Sequence, residues 1–277
     1  MQLLFCFDKN YQQHFGVAIT SVLLNNVEHH FDVHIITDFI EEQLKQKLEK
    51  LSKNYKCSFY FYIINNLDKF SNLRISNHIS KAAYYRLIMA ELLPDNIDKI
   101  LYLDSDLVVT SSLEELYNID IENYFLAASG FSNTSVKSKG FNSGVMVVNL
   151  EKWRNEKIST KLIDFATKNR GKLPYWDQTV LNRVIKQKYL MIDSKWNFKV
   201  DLNSRNIQKP DDNIDIENVK IIHYVGSSKP WYFWVSDKRK NIYESYLNKS
   251  LWSMSKLQII FQQIGYIKKP LQRKLQK

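Results

Sequence analysis

Cysteine, glycine and proline are scarce in this chain of 277 residues, which contains 2 Cys, 7 Gly and 5 Pro. The two cysteines, Cys6 and Cys57, form no CxxC pair. The sequence therefore offers neither a disulfide framework nor a cysteine-ligated zinc site, and it fits a reducing cytoplasm. With so few glycines and no GxGxxG or Walker lysine loop, a backbone cradle for a dinucleotide or ATP is not expected.

Long hydrophobic runs are also missing. No apolar run reaches the roughly 18 residues that a transmembrane helix needs, and Met1–Asp8 lacks the basic region and long apolar core of a signal peptide. An apolar share of 44% and a charged share of 25% are those of a folded globular protein. We therefore expect a protein that is neither exported by a signal peptide nor integral to a membrane.

The net charge of +10 is concentrated towards the C-terminus. Ten Lys or Arg residues lie in 238–277 against the single acid Glu244, so +9 belongs to this segment and residues 1–237 are nearly neutral. The segment also has apolar residues spaced by three and four, as in an amphipathic helix. These residues are Leu251, Trp252, Met254, Leu257, Ile260, Phe261, Ile264 and Ile267.

Two interpretations of this basic amphipathic segment are open. It either lies on an anionic membrane surface, where each Lys or Arg contributes about 1 kcal/mol, or it packs on the body of the protein with a solvated basic end. The first would make the protein cytoplasmic and peripheral at the inner face of the cell membrane. Nucleic acid is not an expected partner, because the aromatic residues lie on the helix and not among the cations.

Apolar runs and helical spacings alternate along the chain, which predicts an α/β fold with a mostly parallel central sheet. The predicted strands are Leu3–Phe7, Phe31–Thr37, Cys57–Ile64, Ile100–Leu103, Gly144–Leu150 and Val219–Ile222. The predicted helices are 12–26, 41–55, 79–92, 151–168 and 176–187, with irregular connections at 65–78 and 203–218. We expect one nucleotide-binding catalytic domain over 1–237, followed by the segment 238–277.

The most informative motif is Asp104-Ser-Asp106, which ends the apolar run Ile100–Leu103. At the carboxyl edge of an α/β sheet, such residues open into the ligand crevice. Two carboxylates with one residue between them repel each other unless a cation lies between them, and their hard oxygens suit Mg²⁺ or Mn²⁺. A turn or a helix cap is the alternative interpretation, because Asp is common in both.

Two further apolar runs end in polar groups. Asp8-Lys-Asn-Tyr11 follows the first strand, where a carboxylate and an amide can pair with a base or a ribose and a tyrosine can stack. Ile221–Trp231 contains His223, a potential nitrogen ligand, then Gly226 and Lys229, which suit an anion. A satisfied core histidine is the alternative for His223. A metal acting with these groups would neutralise a diphosphate, an arrangement typical of sugar nucleotides.

Taken together and in order, the motifs resemble glycosyltransferase family 8 over about residues 1–235. The motifs that carry the resemblance are Phe7-Asp-Lys-Asn-Tyr11, His78-Ile-Ser, Tyr85-Arg-Leu87, Leu101–Asp106, Phe141-Asn-Ser-Gly-Val145, Trp176-Asp-Gln178, His223-Tyr-Val-Gly226 and Lys229-Pro-Trp231. The resemblance implies a GT-A type, Rossmann-like fold. It also implies a retaining transferase that moves galactose or glucose from a UDP-sugar to a glycan, in lipopolysaccharide, lipooligosaccharide or other surface-glycan assembly.

Site roles follow from the same resemblance. The implied ligands of Mn²⁺ or Mg²⁺ are Asp104, Asp106 and His223. The implied nucleotide-sugar contacts are Phe7, Asp8, Asn10, Tyr11, Arg86, Asp104, Ser105, Asn142, Gly226 and Lys229, and the implied catalytic residues are Gln178 and Asp177. His78, Ile79 and Tyr175 are implied acceptor contacts. One departure is Ala127-Ala-Ser-Gly-Phe-Ser132, where members of the family often carry an acid that contacts sugar.

The reaction mechanism and the reaction class each leave alternatives. Double displacement needs a carboxylate nucleophile, and Asp177 is the only acid beside Gln178. We favour front-face transfer, with an N-cap as the alternative role for Asp177. An acceptor on a cytoplasmic glycoprotein, a haloacid dehalogenase-like phosphatase and a non-catalytic sugar-nucleotide-binding protein are the other hypotheses.

Overall fold

The structure, a computed structural model, describes residues 1–64, 82–133, 140–169, 172–203, 218–255 and 258. Within these residues the chain forms ten strands. They are β1 (Gln2–Cys6), β2 (Phe31–Thr37), β3 (Cys57–Ile63), β4 (Lys99–Leu103), β5 (Leu107–Val109), β6 (Leu126–Gly130), β7 (Phe141–Asn149), β8 (Tyr189–Ile192), β9 (Phe198–Asp201) and β10 (Ile221–Val225).

The strands belong to two sheets. Seven form a large sheet in the order β3-β2-β1-β4-β7-β6-β8, and three form a small sheet in the order β5-β10-β9. In the large sheet β7 runs antiparallel to its neighbours β4 and β6, and the other described pairings are parallel. This confirms the prediction of an α/β fold with a mostly parallel central sheet.

The helices cover the large sheet and join the two sheets. Their bounds are α1 (Gln12–Leu24), α2 (Glu42–Asn54), α3 (Ala82–Tyr85), α4 (Met89–Leu92), α5 (Glu114–Tyr117), α6 (Leu150–Asn155), α7 (Ile158–Lys168), α8 (Trp176–Ile185) and α9 (Lys240–Lys249). Helix α2 shows how the pattern works: Leu44, Leu48 and Leu51 are spaced by four and three, and all three are buried. Helix α1 is buried along most of its length, between the large sheet and β5 of the small sheet.

Two predicted helices are interrupted in the structure. The described part of the helix predicted over 79–92 consists of three short pieces: α3, a 3-10 turn at Arg86–Ile88, and α4. The α-helix is interrupted at Arg86, whose side chain belongs to the site described below. The helix predicted over 151–168 divides into α6 and α7 at Lys157, which has a left-handed φ of 52°. Strands β5, β6, β8 and β9, which have three to five residues each, were not predicted from the sequence.

Part of the C-terminal segment packs on the body. Tyr243 and Leu247 of α9 are buried, and Trp252 is only 4% exposed, with its indole lying against Gly16 of α1. Of the two interpretations of the segment, packing on the body therefore holds for Trp252, whose side chain fills the core. The basic end of the segment lies outside the described residues. No helix among the described residues is long and apolar enough to cross a membrane.

Candidate active site

The polar ends of several strands meet at one edge of the large sheet. Asp8 follows β1, Asp104 follows β4, and Asn142 lies at the start of the antiparallel strand β7. Asp106 directly precedes β5 of the small sheet, and its carbonyl accepts a hydrogen bond from the backbone N–H of Tyr224 on β10. The Asp104-Ser-Asp106 motif therefore lies at the junction of the two sheets.

Asp104, Asp106 and His223 form a cluster at this junction. Ligand atoms of the three side chains lie within 4.8 Å of one another. His223 Nε2 is 3.2 Å from Asp106 Oδ1 and 3.6 Å from Asp104 Oδ2. Neither carboxylate accepts a hydrogen bond from a backbone N–H of the described residues, so the turn or cap interpretation of the motif is not supported.

A chain of hydrogen bonds fixes the histidine tautomer. The N–H of Gly144 and Nδ2 of Asn197 both donate to Oδ1 of Asn142, at 3.0 and 2.8 Å. Asn197 Oδ1, 2.9 Å from His223 Nδ1, must then accept a hydrogen bond from the N–H at that nitrogen. The Nε2 lone pair is left facing two carboxylates, and this donor set fits a hard or borderline divalent cation.

Two more observations test whether the cluster fits a bound ligand. Gly144 lies under His223, and a Cβ there would overlap the imidazole and come within 2.9 Å of Asp104 Oδ2. Ser105 is 5% exposed, yet its Oγ has no hydrogen-bond partner among the described residues. The residues present therefore fit a bound divalent metal.

Arg86 ties the cluster to the start of α8. Its Nη2 lies 2.8 Å from Asp104 Oδ1 and its Nε lies 3.3 Å from Asp177 Oδ2, and the guanidinium is buried. Tyr102 Oη donates to Asp104 Oδ1 at 2.6 Å, and its ring lies under the guanidinium. Burial by itself would lower the pKa of Arg86. The negative charges around it, that of Asp104 first among them, raise this pKa well above its ordinary value.

Asp177 and Gln178 lie in the first turn of α8. Helix α8 begins at Trp176, so the N-cap hypothesis for Asp177 was wrong. Burial raises the pKa of Asp177 to about 6, against the opposing charge of Arg86. Ser143 Oγ lies 3.5 Å from the same carboxylate, and the N–H of Ser143 donates to Gln178 Oε1 at 3.2 Å.

Lys229 reaches the cluster from the turn after β10. Its Nζ donates to Asp106 Oδ2 at 2.7 Å and to the carbonyl of Tyr224 at 2.6 Å. Burial alone would raise the pKa of Asp106, but the charge of Lys229 holds it well below its usual range. Gly226 in the same turn has φ of 77°, a left-handed conformation that favours glycine, and Asp201 lies directly beside it.

The residues after β1 form the nucleotide side of the site. Asp8 Oδ1 accepts from the N–H groups of Asn10 and Tyr11, which leaves Asn10 exposed and the ring of Tyr11 edge-on to Trp231 at 5.8 Å. Phe7 is 1% exposed and stacks on Phe15, so only its backbone is available to a ligand.

The three predicted acceptor contacts stay predictions. His78 and Ile79 lie outside the described residues. Tyr175 precedes α8 and is 65% exposed. Asn197 and Lys199 were not singled out by the sequence analysis, because Lys199 lies on the unpredicted strand β9 and Asn197 directly precedes that strand. Gly144 belonged to a quoted motif, but its contact with His223 is visible only in three dimensions.

The sequence profile of Glycosyl transferase family 8 matches residues 2–235 of this chain. The chain belongs to this family. A lipopolysaccharide 1,2-glucosyltransferase of Escherichia coli strain K12 is 30% identical to this glycosyltransferase over 260 residues, 88% of this chain and 77% of the relative. A lipopolysaccharide 1,3-galactosyltransferase of Salmonella typhimurium is 29% identical over 262 residues, 89% of this chain and 77% of the relative.

Solved structures agree on the fold of this glycosyltransferase. The galactosyltransferase LgtC, in complex with donor and acceptor sugar analogues, superposes with a TM-score of 0.74 at 24% identity, covering 92% of this chain and 98% of LgtC. GlyE of Streptococcus pneumoniae gives a TM-score of 0.75 at 24% identity, covering 96% of this chain and 63% of GlyE. The fold is therefore of GT-A type, and the phosphatase hypothesis is wrong because its fold and family are different.

Proposed function

We propose that this glycosyltransferase transfers galactose or glucose from a UDP-sugar to a glycan acceptor in the assembly of a surface glycan, with retention of the anomeric configuration. The observation that carries the proposal is the Asp104, Asp106 and His223 cluster, whose ligand atoms lie within 4.8 Å of one another beside the buried Lys229. The relatives named as lipopolysaccharide galactosyl- and glucosyltransferases support this acceptor class.

The cluster is suited to the diphosphate of the donor. Asp104, Asp106 and His223 would hold Mn²⁺ or Mg²⁺, which when bound neutralises the diphosphate and favours departure of UDP. Lys229 Nζ has one N–H beyond its bonds to Asp106 and Tyr224, and that N–H can donate to a phosphate oxygen. The glycine turn at Gly226 allows the backbone to approach the same group.

The nucleoside is assigned to the turn after β1. Asp8 has one carboxylate oxygen that does not cap this turn, and Asn10 is exposed beside it. These two residues can pair with the uracil edge or the ribose, and the half-buried ring of Tyr11 can stack on the base.

The contacts of Asp177 favour front-face transfer over double displacement. A nucleophile needs a free carboxylate oxygen that faces the anomeric carbon, yet Asp177 is 6% exposed and one of its oxygens contacts both Arg86 and Ser143. We therefore assign Asp177 to positioning Arg86. Gln178 supports the positively charged sugar through its amide oxygen, while the leaving phosphate takes the proton of the acceptor hydroxyl.

The acceptor is proposed to be a lipid-linked core glycan at the inner face of the membrane, a cytoplasmic glycoprotein being the alternative. The basic end of 238–277 would hold the enzyme at that surface reversibly. Because α9 and Trp252 pack on the body, this role falls to the residues after 255. Absence of nucleic-acid binding stays a prediction.

The test is release of UDP from UDP-galactose, UDP-glucose and their N-acetyl forms by purified protein, with Mn²⁺, with Mg²⁺ and with a chelator. One preferred donor, hydrolysed only with the metal, is expected. Asp106→Asn should lower the rate at least about 1,000-fold, because it removes a metal ligand and the partner of Lys229.

Asp164→Asn is the matched control, since Asp164 is an exposed residue of α7 far along the chain from the cluster. It should retain the rate of the unaltered protein. Hydrolysis that is equally fast with and without the metal, or the absence of UDP release from all four donors, would contradict the proposal.

A further inference from the structure

Lys199 is a partly buried cation on β9 whose amine contacts neutral groups. Its Nζ donates to Ser129 Oγ at 3.1 Å and to the carbonyl of Gly130 at 2.9 Å. No carboxylate of the described residues lies within ion-pair distance of this amine. Burial alone lowers the pKa of Lys199 to about 8, as expected for an ammonium removed from water without an anionic partner.

The two buried cations of the site are neutralised by acids. Arg86 is held by Asp104 and Asp177, and Lys229 is held by Asp106. Lys199 differs from them, because its charge is partly removed from water with no acid of the described residues beside it, and such a charge is costly. The Lys199 ammonium also lies beside a substrate-binding cluster. It is therefore suited to pair with an anionic group of the substrate.

Backbone pairing places Lys199 at the edge of the same site. In the small sheet Lys199 is the strand partner of His223, and it lies two residues after Asn197, which bonds to that histidine. In the large sheet Gly130 is the strand partner of Phe141, the neighbour of Asn142. The amine therefore bridges the two sheets on the β6 and β9 side of the cluster.

The charged part of the donor already has partners elsewhere in the site. The cluster and Lys229 serve the diphosphate, and Asp8 and Asn10 serve the nucleoside, so a neutral hexose donor has no anion left for Lys199. We propose that Lys199 recognises the acceptor by pairing with a phosphate or carboxylate substituent that the acceptor sugar carries. This inference rests on the proposed function, because it takes the donor to be a neutral UDP-hexose.

The test measures sugar binding to the enzyme saturated with Mn²⁺ and UDP, so that the diphosphate site is filled. Dissociation constants for methyl glucoside, glucose 6-phosphate, glucuronic acid and inorganic phosphate are obtained by calorimetry. The acidic sugars should bind about 10- to 100-fold more tightly than methyl glucoside, the range expected for a hydrogen bond to a charged group. The dissociation constant of inorganic phosphate is compared with that of glucose 6-phosphate. This comparison distinguishes recognition of a sugar phosphate from binding of free phosphate alone.

Lys199→Met should abolish the preference, and Lys199→Arg should retain most of it. Lys195→Met is the matched control, because Lys195 lies four residues earlier and pairs with Glu115 at the surface; it should keep the full preference. Equal binding of acidic and neutral sugars by the unaltered enzyme, or a preference that survives in Lys199→Met, would overturn the proposal. Failure of UDP to bind with Mn²⁺ would instead count against the proposed function.

Discussion

The large sheet and the small sheet bring different groups to the Asp104-Ser-Asp106 turn. From the large sheet and the helices packed on it come Asp104, Arg86 and Asp177, whose charges are paired with one another. From the small sheet and the turn after it come His223 and Lys229. Neither sheet holds a complete ligand set, so substrate or metal binding depends on how closely the two sheets approach.

Gly144→Ala should disturb the close approach of the two sheets, and we expect it to have the largest effect on metal binding. Gly144 belongs to the large sheet, and its new Cβ would overlap the ring of His223 on the small sheet. We expect affinity for Mn²⁺ to fall at least about 100-fold and UDP release to fall with it. Both are measured on the purified variant by calorimetry and by donor hydrolysis.

Val147→Ala is the control for Gly144→Ala, because it removes volume from the same strand without a contact to the cluster. It should lower the free energy of unfolding and leave the metal affinity unchanged. A Gly144→Ala variant with normal affinity for Mn²⁺ would show that the two sheets do not constrain each other at this point.

Asn197→Leu should weaken the small-sheet half of the site without changing the large sheet. Asn197 is 0% exposed and joins Asn142 to His223, so its loss frees the imidazole to rotate and to exchange tautomers. We expect a 10- to 100-fold weaker metal affinity, the range for groups that orient a ligand. Asn26→Leu, which removes another buried amide from a different part of the core, should cost stability and spare the metal affinity.

Asp177→Asn should have a smaller effect on activity, because it changes only the half of the site that belongs to the large sheet. The amide keeps the shape of the side chain, while Arg86 retains Asp104 as its partner. We expect kcat to fall about 10-fold, because a weakened orienting contact costs about one order of magnitude, with KM for the donor little changed. Mass spectrometry during turnover should detect no glycosyl-enzyme, and an adduct on Asp177 in the unaltered protein would rule out front-face transfer.

An effect on stability and not on the site is expected from His14, which stacks on Trp231 at 3.4 Å and contacts the hydroxyl of Tyr243 at 2.7 Å. Burial lowers the pKa of His14 to about 3, whereas an unfolded histidine titrates near 6.5. Below pH 6.5 the unfolded chain therefore binds a proton at His14 that the folded chain does not. The contribution of His14 to the free energy of unfolding should fall by about 1.4 kcal/mol for each pH unit down to about pH 3, and His34, whose pKa burial lowers to about 4, should add to the same slope.

His14→Phe should flatten this pH dependence, measured by urea unfolding at pH 4, 5 and 6. His30→Gln, a substitution at an exposed position, should leave it unchanged. An identical slope in His14→Phe and the unaltered protein would assign the acid sensitivity to other groups.

Sequence patterns were informative where a buried strand ends abruptly in polar residues. Strands β1, β4 and β10 have five residues each and are mostly apolar. Asp8 and Asp104 come after β1 and β4, and His223 is the middle residue of β10. Those patterns, with the family resemblance, predicted the metal ligands that the structure brings together. The large sheet and most of its helices were predicted for the same reason.

The small sheet could not be predicted in this way. Strand β5 has three residues, and β9 alternates Phe-Lys-Val-Asp as a solvent-facing strand would. Lys199 therefore looks like a surface residue, although contacts with other segments bury it in part. Asn197, directly before the strand, is fully buried. The role of Gly144 depends on a ring that is 79 positions later in the chain, a distance at which local patterns carry no information.

The packing of Trp252 on Gly16 sets a limit on how far the chain can be shortened from its C-terminus. We expect a chain shortened before Trp252 to have a cavity the size of a tryptophan beside Phe15. Trp252 is the last buried side chain among the described residues, so any shortened form of this glycosyltransferase has to retain it to keep its core filled.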